Sequence, residues 1–283
     1  MSGKAIRSAF RFLHASDFRL ELPVLGVTHI PDHLRDALVD APYRAALAVF
    51  DAAVSERVDF VVLSGNIIHP HGAGPLGVHF LQEQFERLSR ERIAVYWSCG
   101  PADRTDLWPT AVPLPSNVHV FSADRIASIG HRRDNQTIVT IQGCGHRDSH
   151  IIRAAEFTGD QQRFSIAVTY GAGDPKALCA SGISYWALGG RHDRHTLFTS
   201  PHIAQYSGSP QGRSPDEVDV HGCTLVDVDE AGLVSRQMIP TDVIRWHTEH
   251  IELPDHMDRQ GLLRLLRDRR KRWGGGGCGY KQR

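Results

Sequence analysis

Residues 10–19 read FRFLHASDFR, an apolar run that ends in a polar cluster. Short apolar runs bounded by small polar residues are typical of buried strands. The same pattern returns in VDFVVLSG (residues 58–65) and IAVYWSCG (residues 93–100). Each run is therefore predicted to be a buried strand with polar groups at its carboxyl end.

Helical patterns separate these three strands. Apolar residues recur at helical spacing after Pro42, which is a favourable first-turn residue, and again between the second and third strands. The two sets are Tyr43, Leu47, Phe50 and Val54, and then Val78, Leu81, Phe85 and Leu88. The alternation of strands and helices predicts parallel strand pairing with right-handed crossovers.

The second half of the chain contains short strands with few helices between them. The predicted strands cover residues 117–121, 137–143, 163–171, 184–190, 203–209 and 222–228. The sequence therefore predicts an α/β sandwich in which two sheets pack together. We divide it into one domain (residues 1–250), a C-terminal amphipathic helix (251–273) and a disordered, basic, Gly-rich tail (274–283).

Composition excludes several classes of protein. With 283 residues, 41% hydrophobic and 23% charged, the chain can bury a sizeable core and is not of disordered composition. It contains no run of roughly 20 apolar residues, which a membrane span needs. The N-terminus resembles no secretory signal, and five scattered cysteines form no framework, so a cytoplasmic location is expected.

The zero net charge conceals an asymmetry. Residues 264–283 carry eight basic side chains and one acidic side chain, a net +7, so the other residues sum to −7. An acidic body repels a polyanion, and contact with nucleic acid is expected only from the basic end. The candidate residues there are Arg267, Arg269, Arg270, Lys271 and Arg272. The alternative is that these side chains are simply solvated.

Five polar clusters follow the predicted strands. In open α/β sheets, functional sites lie at the carboxyl ends of strands, so the five clusters are expected to form one site. They are Ser16-Asp17-Phe18-Arg19, Ser64-Gly65-Asn66, Cys99-Gly100-Pro101-Ala102-Asp103, Thr169-Tyr170-Gly171 and Gly189-Gly190-Arg191-His192.

The order of these clusters resembles the calcineurin-like metallophosphoesterase superfamily, in particular its SbcD and YhaO branch of DNA-repair exonucleases. That family has the signature D-x-H, G-D, G-N-H-D, a lone His and G-H-x-H. The segments LPSNVHVFS, SYWALGGRH and YSGSPQGRSPDEVDVHGCTLVDVDEAG are also similar to this branch, and the likeness covers roughly residues 10–250. The resemblance implies a two-sheet α/β/β/α sandwich.

The resemblance also implies a two-metal site, whose positions can be transferred one at a time. The positions that keep a ligand are Asp17 and His192. The replaced positions are Arg19 for a His, Asn66 for the bridging Asp, Pro101 for an Asn, Tyr170 for the lone His and Gly190 for a His. Ala102 stands where the family has its catalytic His, and Asp103 completes the same motif.

These replacements predict an impaired active site. Arginine stays protonated in proteins and cannot ligate a metal, and a neutral amide is a poor bridge between two dications. Arg19 is expected to form a bidentate ion pair with Asp17, or otherwise to point to solvent. No cofactor is expected; a residual site at Asp17, Asn66 and His192 would hold at most one Mn²⁺ or other divalent ion.

Two functions therefore follow from the resemblance, beside a third hypothesis that the chain is a truncated relic with no retained activity. The first is a pseudoenzyme related to DNA-repair exonucleases, acting by binding a protein partner or, weakly, DNA. The alternative is a residual exonuclease or phosphodiesterase with a mononuclear site. An SbcC- or YhaN-type ATPase partner is not expected, because the matching C-terminal region is missing, and no membrane partner is expected.

Other reactive residues have simpler interpretations. His69 and His71 are predicted to lie in a surface loop rather than at a metal, and Cys99 to be a buried, inert thiol. Ser16 and Ser64 lack the His and Asp arrangement that a serine nucleophile requires.

Overall fold

The computed structural model describes residues 8–26, 30, 32–147, 149–160, 162–248, 250–253 and 256–273. This part of the chain contains twelve strands: β1 (Phe10–Ala15), β2 (Phe60–Leu63), β3 (Ala94–Ser98), β4 (Val118–Phe121), β5 (Ala127–Arg133), β6 (Gln136–Gly143), β7 (Phe164–Tyr170), β8 (Tyr185–Gly189), β9 (His195–Phe198), β10 (Ile203–Tyr206), β11 (Gly222–Val228) and β12 (Val234–Pro240). Its helices are α1 (Asp32–Ser55), α2 (Pro70–Arg90), α3 (Pro175–Ala180) and α4 (Arg259–Trp273). The tail predicted at residues 274–283 lies outside the described residues.

The strands form two six-stranded sheets. The first sheet has the order β12-β11-β1-β2-β3-β4, and the second has the order β5-β6-β7-β8-β10-β9. Strands β1 to β4 are parallel, as are β6, β7, β8 and β10. Strands β5, β9 and β11 pair antiparallel with β6, β10 and β1, and β12 pairs antiparallel with β11. The predicted parallel pairing of the first three strands is confirmed.

The central strands of each sheet are buried on both faces. Between the sheets lie aromatic and aliphatic side chains such as Phe12, Phe60 and Tyr185. On the outer face of the first sheet, Phe50 of α1 and Phe85 of α2 pack against the strands. The second sheet is covered by a smaller cluster that includes α3. The fold is thus the expected α/β sandwich with the layer order α/β/β/α.

The first helix begins earlier than the sequence pattern predicts. Helix α1 begins at Asp32, ten positions before the predicted start, and Pro42 lies inside it. Leu34 and Leu38 extend its apolar face and are buried against Val24 and Ile244, which stabilises the additional turns. Leu47 was assigned to the buried face but is 37% exposed.

Three strands were not predicted, namely β5, β9 and β12. All three lie at sheet edges, and their residues are mostly exposed or half-buried. An edge strand with solvent on one face needs no continuous apolar run, so its sequence does not stand out. Helix α2 and the central strands, whose side chains are buried, were all predicted.

The C-terminal helix predicted within residues 251–273 corresponds to α4. Its side chains Leu263 and Leu266 are 40% and 45% exposed. Among the helices of the described residues, none is long and apolar enough to cross a membrane.

Candidate functional site

The five polar clusters meet at the carboxyl edge of both sheets. Asp17 follows β1 and Asn66 follows β2 in the first sheet, whereas Tyr170 ends β7 and Gly190 follows β8 in the second sheet. The Asn66 Nδ2 atom donates to Asp17 Oδ1 at 3.2 Å and to the Tyr170 hydroxyl at 2.7 Å. The Gly190 N–H donates to Asp17 Oδ2 at 2.8 Å. The prediction of one shared site is correct in its geometry.

Asp17 is completely buried at the centre of this site. Its φ of 56° lies in the left-handed region, which is uncommon for a residue other than glycine and is often found at functional sites. Burial raises the pKa of Asp17, and its hydrogen bonds from Gly190 and other donors oppose that rise. Because both carboxylate oxygens accept from N–H groups, the geometry suits the ionised form.

The orientation of the Asn66 amide is fixed by its neighbours. Its Oδ1 atom accepts from the Ala102 N–H at 3.1 Å, so the NH₂ group must face Asp17 and Tyr170. The oxygen that might have served as a metal ligand is therefore turned towards the backbone of residues 100–103.

Asp103 binds the loops after β2 and β3 together. Its carboxylate accepts from the backbone N–H groups of Asn66 (2.9 Å), Ile67 (3.0 Å) and Gly100 (2.5 Å), and from Trp97 Nε1 (2.8 Å). Complete burial raises the pKa of Asp103 to about 6, although these four donors lower it. Asp103 thus shapes the site without reaching its surface.

The Tyr170 ring covers the floor of the site. A Cβ atom on Gly65 would lie 2.8 Å from the ring atom Cδ2, and one on Gly100 would lie 3.1 Å from it. Burial raises the pKa of Tyr170 to about 12. The Tyr170 hydroxyl, which therefore stays protonated at physiological pH, accepts from Asn66 Nδ2.

Comparison with known proteins gives one informative relative. The protein YhaO of Bacillus subtilis (strain 168), described as an uncharacterized metallophosphoesterase, is 27% identical over 272 residues, which cover 91% of this chain and 66% of the relative. The chain is thus similar to a metallophosphoesterase over most of its length. The resemblance to metallophosphoesterases drawn from the motifs is thereby confirmed. The chain spans 66% of the length of that relative.

Solved structures with low sequence identity also match. A dimetal phosphatase from Danio rerio has a TM-score of 0.49 and 11% identity, covering 78% of this chain and 93% of its own. GAP50 of Plasmodium, the anchor in the inner membrane complex, has a TM-score of 0.44 and 11% identity, covering 92% and 95%. Likeness at this level adds nothing to what the sheet order shows. No protein-family model matches the chain.

Arg19 departs from both interpretations given to it. It neither pairs with Asp17 nor points freely to solvent, because its Nε donates to Glu21 Oε1 at 2.5 Å and its side chain is 27% exposed. The second oxygen of Glu21 accepts from the His69 N–H. The ion pair with Glu21 keeps the Arg19 guanidinium away from the Asp17 carboxylate, which it was expected to neutralise.

The cation beneath Asp17 is Arg213, which the sequence analysis did not identify. Arg213 is 5% exposed, and its Nη2 donates to the backbone oxygen of Asp17 at 2.8 Å. Its Nε and Nη1 atoms are buried without a hydrogen-bond acceptor among the protein atoms. Arg213 lies in SPQGRSPDE, part of a segment that resembles the SbcD and YhaO branch. Its role could not be assigned without the fold, because the sequence does not show which residues it contacts.

His192 has an acidic partner from the same segment. Its Nδ1 lies 2.8 Å from Glu217 Oε1, and the other oxygen of Glu217 accepts from the Arg213 N–H. Burial raises the pKa of Glu217, but the His192 hydrogen bond and the charges of His192 and Arg213 outweigh it and bring the pKa to about 2. His192 is thus anchored at the rim of the site.

The residues present do not fit a metallophosphoesterase metal centre. Asn66 turns hydrogens rather than an oxygen towards Asp17, and Gly190 supplies a second N–H instead of an imidazole. A cation between Asp17 and Asn66 would meet the partial positive charge of the amide NH₂. Within the described residues, no group of three His, Cys, Asp or Glu side chains could hold a metal ion. The mononuclear site expected at Asp17, Asn66 and His192 would require the Asn66 amide to rotate.

Other candidate residues have structural roles. His69 caps α2, because its Nδ1 accepts from the Gly72 N–H at 3.0 Å. Cys99 is 3% exposed, and burial raises the pKa of its thiol well above the ordinary value, which agrees with an inert thiol. Ser64 does have a histidine partner, since His14 Nε2 lies 2.7 Å from its Oγ, but the other ring nitrogen of His14 pairs with the Tyr185 hydroxyl rather than with a carboxylate. Ser64 and His14 are completely buried.

The candidate nucleic-acid residues belong to α4. The side chain of Arg267 is exposed and that of Arg269 is half-buried. The side chains of Arg270, Lys271 and Arg272 lie outside the described part of the chain. Their role stays a prediction.

Proposed function

We propose that this protein is a catalytically inactive relative of metallophosphoesterase-type DNA-repair exonucleases and that it acts by binding. The observation that carries this proposal is the closed site. Asp17 is completely buried, and its two carboxylate oxygens accept from Asn66 Nδ2 and the Gly190 N–H. The second hydrogen of the Asn66 amide is taken up by the Tyr170 hydroxyl.

The site lacks the groups that phosphodiester hydrolysis requires. Hydrolysis of this type uses two metal ions about 3.5–4 Å apart to generate hydroxide and to neutralise charge in the transition state. A positioned acid or base adds about 10²–10⁴-fold, and Ala102 supplies none at the corresponding position. The proposal therefore predicts turnover at background level.

Two clefts lie beside the closed site, and their presence supports a binding role. A cleft of about 420 Å³ borders Gly100 and His146, and a more apolar cleft of about 330 Å³ lies between Trp97 and Trp108. Both have sizes that proteins use to bind small groups. A ligand in either cleft would lie near the site without contacting Asp17.

The proposed partners are a protein or weakly bound DNA. We also propose a cytoplasmic location. The cysteines Cys99, Cys144, Cys179 and Cys223 are free within the described residues, which suits a reducing compartment.

Hydrolysis assays test the proposal directly. The unmodified protein, supplied with Mn²⁺, is expected to release no product above background from single-stranded DNA or a nitrophenyl phosphodiester. Turnover that saturates with substrate and disappears in Asp17→Ala would refute the proposal and favour the mononuclear alternative.

Restoration is the sharper arm of this test. The variant combines Arg19→His, Asn66→Asp, Pro101→Asn, Ala102→His, Tyr170→His and Gly190→His. Gly190 has a φ of 104°, which strains any residue other than glycine, and a Cβ there would lie 3.2 Å from Tyr170 Cζ. Replacing the Tyr170 ring with a smaller one relieves this contact for the Gly190 substitution. The matched control keeps Tyr170 and carries the other five changes; it is expected to stay inactive.

A further inference from the structure

We propose that the former metal position is now a metal-independent cross-link between the two sheets, in which the side-chain amide of Asn66 takes the place of a cation. This inference goes beyond the proposed function. It assigns the site a positive structural role that would hold whether or not the protein binds a partner.

The first step of the argument concerns charge. A buried carboxylate without a compensating partner is strongly destabilising. Arg19, the nearest cation along the sequence, is held by Glu21, and Arg213 donates to the backbone oxygen of Asp17 rather than to its carboxylate. The carboxylate accepts hydrogen bonds from two N–H donors, Asn66 and Gly190, and the charge of His192 adds to their stabilisation of the ionised form.

The second step concerns direction. The Asn66 NH₂ group has two hydrogens, and it donates to Asp17 at 3.2 Å and to the Tyr170 hydroxyl at 2.7 Å. Because Ala102 N–H fixes the amide oxygen, both donors are committed. The Asn66 amide nitrogen thus lies within hydrogen-bond distance of an Asp17 carboxylate oxygen and the Tyr170 hydroxyl. A bridging cation would likewise hold two oxygen atoms from different strands close together.

The third step concerns topology. Asp17 and Asn66 follow strands of the first sheet, and Tyr170 and Gly190 belong to strands of the second. Two hydrogen bonds, from Asn66 to Tyr170 and from Gly190 to Asp17, therefore cross between the sheets at their carboxyl edge. The backbone accommodates this: Asp17 and Asn66 have φ values of 56° and 55°. Such strain persists only where the surroundings hold it in place.

The test compares thermal unfolding of full-length variants with EDTA and with excess Mn²⁺. The unmodified protein is expected to have the same midpoint in both. Asn66→Asp places two carboxylates in contact and is expected to lower the midpoint in EDTA by about 5 °C or more, with partial recovery in Mn²⁺. Asn135→Asp is the matched control, since Asn135 is exposed in the β5–β6 turn with a φ of 62°, and it should change neither value.

A milder variant keeps the inference testable if Asn66→Asp does not fold. Tyr170→Phe retains the ring and removes only the acceptor of one cross-link, so its midpoint should fall by a few degrees, equally in EDTA and Mn²⁺. A rise of several degrees in the midpoint of the unmodified protein with Mn²⁺ would overturn the inference. So would an Asn66→Asp variant that matches the unmodified protein in EDTA, or one whose midpoint Mn²⁺ does not raise.

Discussion

The buried carboxylate of Asp103 holds the loops after β2 and β3 in place. It holds two loops by four N–H groups, three of them from the backbone. Asp103→Asn leaves one acceptor oxygen and turns an NH₂ group towards donors. Each buried donor without a partner costs about 1–3 kcal/mol, so the free energy of unfolding should fall by about 3 kcal/mol.

Chemical denaturation measures this loss. Asp106→Asn is the control, because the Asp106 side chain is 61% exposed and its ion pair with Arg104 lies at the surface. Its free energy of unfolding should change by no more than about 0.5 kcal/mol. Equal effects in the two variants would mean that the Asp103 hydrogen bonds do not hold the loops.

Glu217 gives a prediction for acid stability. The pKa of Glu217 is about 2 in the folded protein, against an ordinary value of 4.5. Between these pH values the unfolded chain binds more protons than the folded one. The stabilisation by Glu217 is therefore complete above about pH 4.5 and is lost as the pH falls towards 2.

The measurement is the difference in unfolding free energy between the unmodified protein and Glu217→Gln across this range. The difference should be largest near neutrality and should shrink below about pH 4.5. Glu230→Gln, at an exposed position in the β11–β12 turn, should show no such trend. A difference that is independent of pH would contradict an ionised, stabilising Glu217.

The positions of the site residues could be predicted from the sequence, but their contacts could not. The motif order placed Asp17, Asn66 and Tyr170 in one site correctly. Arg19 pairs with Glu21 and has a φ of 47°, a left-handed backbone conformation. Residue patterns do not predict this conformation at an arginine. Arg213 reaches Asp17 from 196 positions away, so only the fold reveals it.

At the scale of elements, burial decided which predictions were correct. Strands β1, β2 and β3 and helix α2 carry apolar signals because they are covered on one or both faces. Edge strands β9 and β12 lack that signal. The start of α1 was misplaced because Pro42 is typical of a first turn, whereas Leu34 and Leu38 bury a further stretch of helix.

The extended start of α1 can be tested by a pair of leucine substitutions. Leu38 is 5% exposed and packs in the cluster with Val24 and Ile244, whereas Leu47 is 37% exposed. Leu38→Ala should lower the free energy of unfolding by about 2–4 kcal/mol, and Leu47→Ala by less than about 1 kcal/mol. Denaturant titrations followed by circular dichroism would measure both. The reverse order would place the buried face of α1 where the sequence pattern alone had put it.

For the whole molecule, the distribution of charge matters more than its sum. The acidic remainder of the chain repels a polyanion, and the basic residues gather at α4 and beyond. Any affinity for DNA should therefore come from the C-terminal cations, and it should behave as a counterion effect.

We expect weak, non-specific DNA binding that depends on Arg267, Arg269, Arg270, Lys271 and Arg272. About three or four phosphate contacts would give a roughly 40- to 150-fold loss of affinity between about 50 and 200 mM salt. Replacing all five residues with Gln should abolish binding in a fluorescence-anisotropy titration of single- and double-stranded DNA. Replacing five exposed body arginines, Arg35, Arg90, Arg92, Arg125 and Arg132, should not. Binding that survives the C-terminal changes at physiological salt would move the DNA contact to the body, and the protein would then act at DNA through its fold rather than through its basic end.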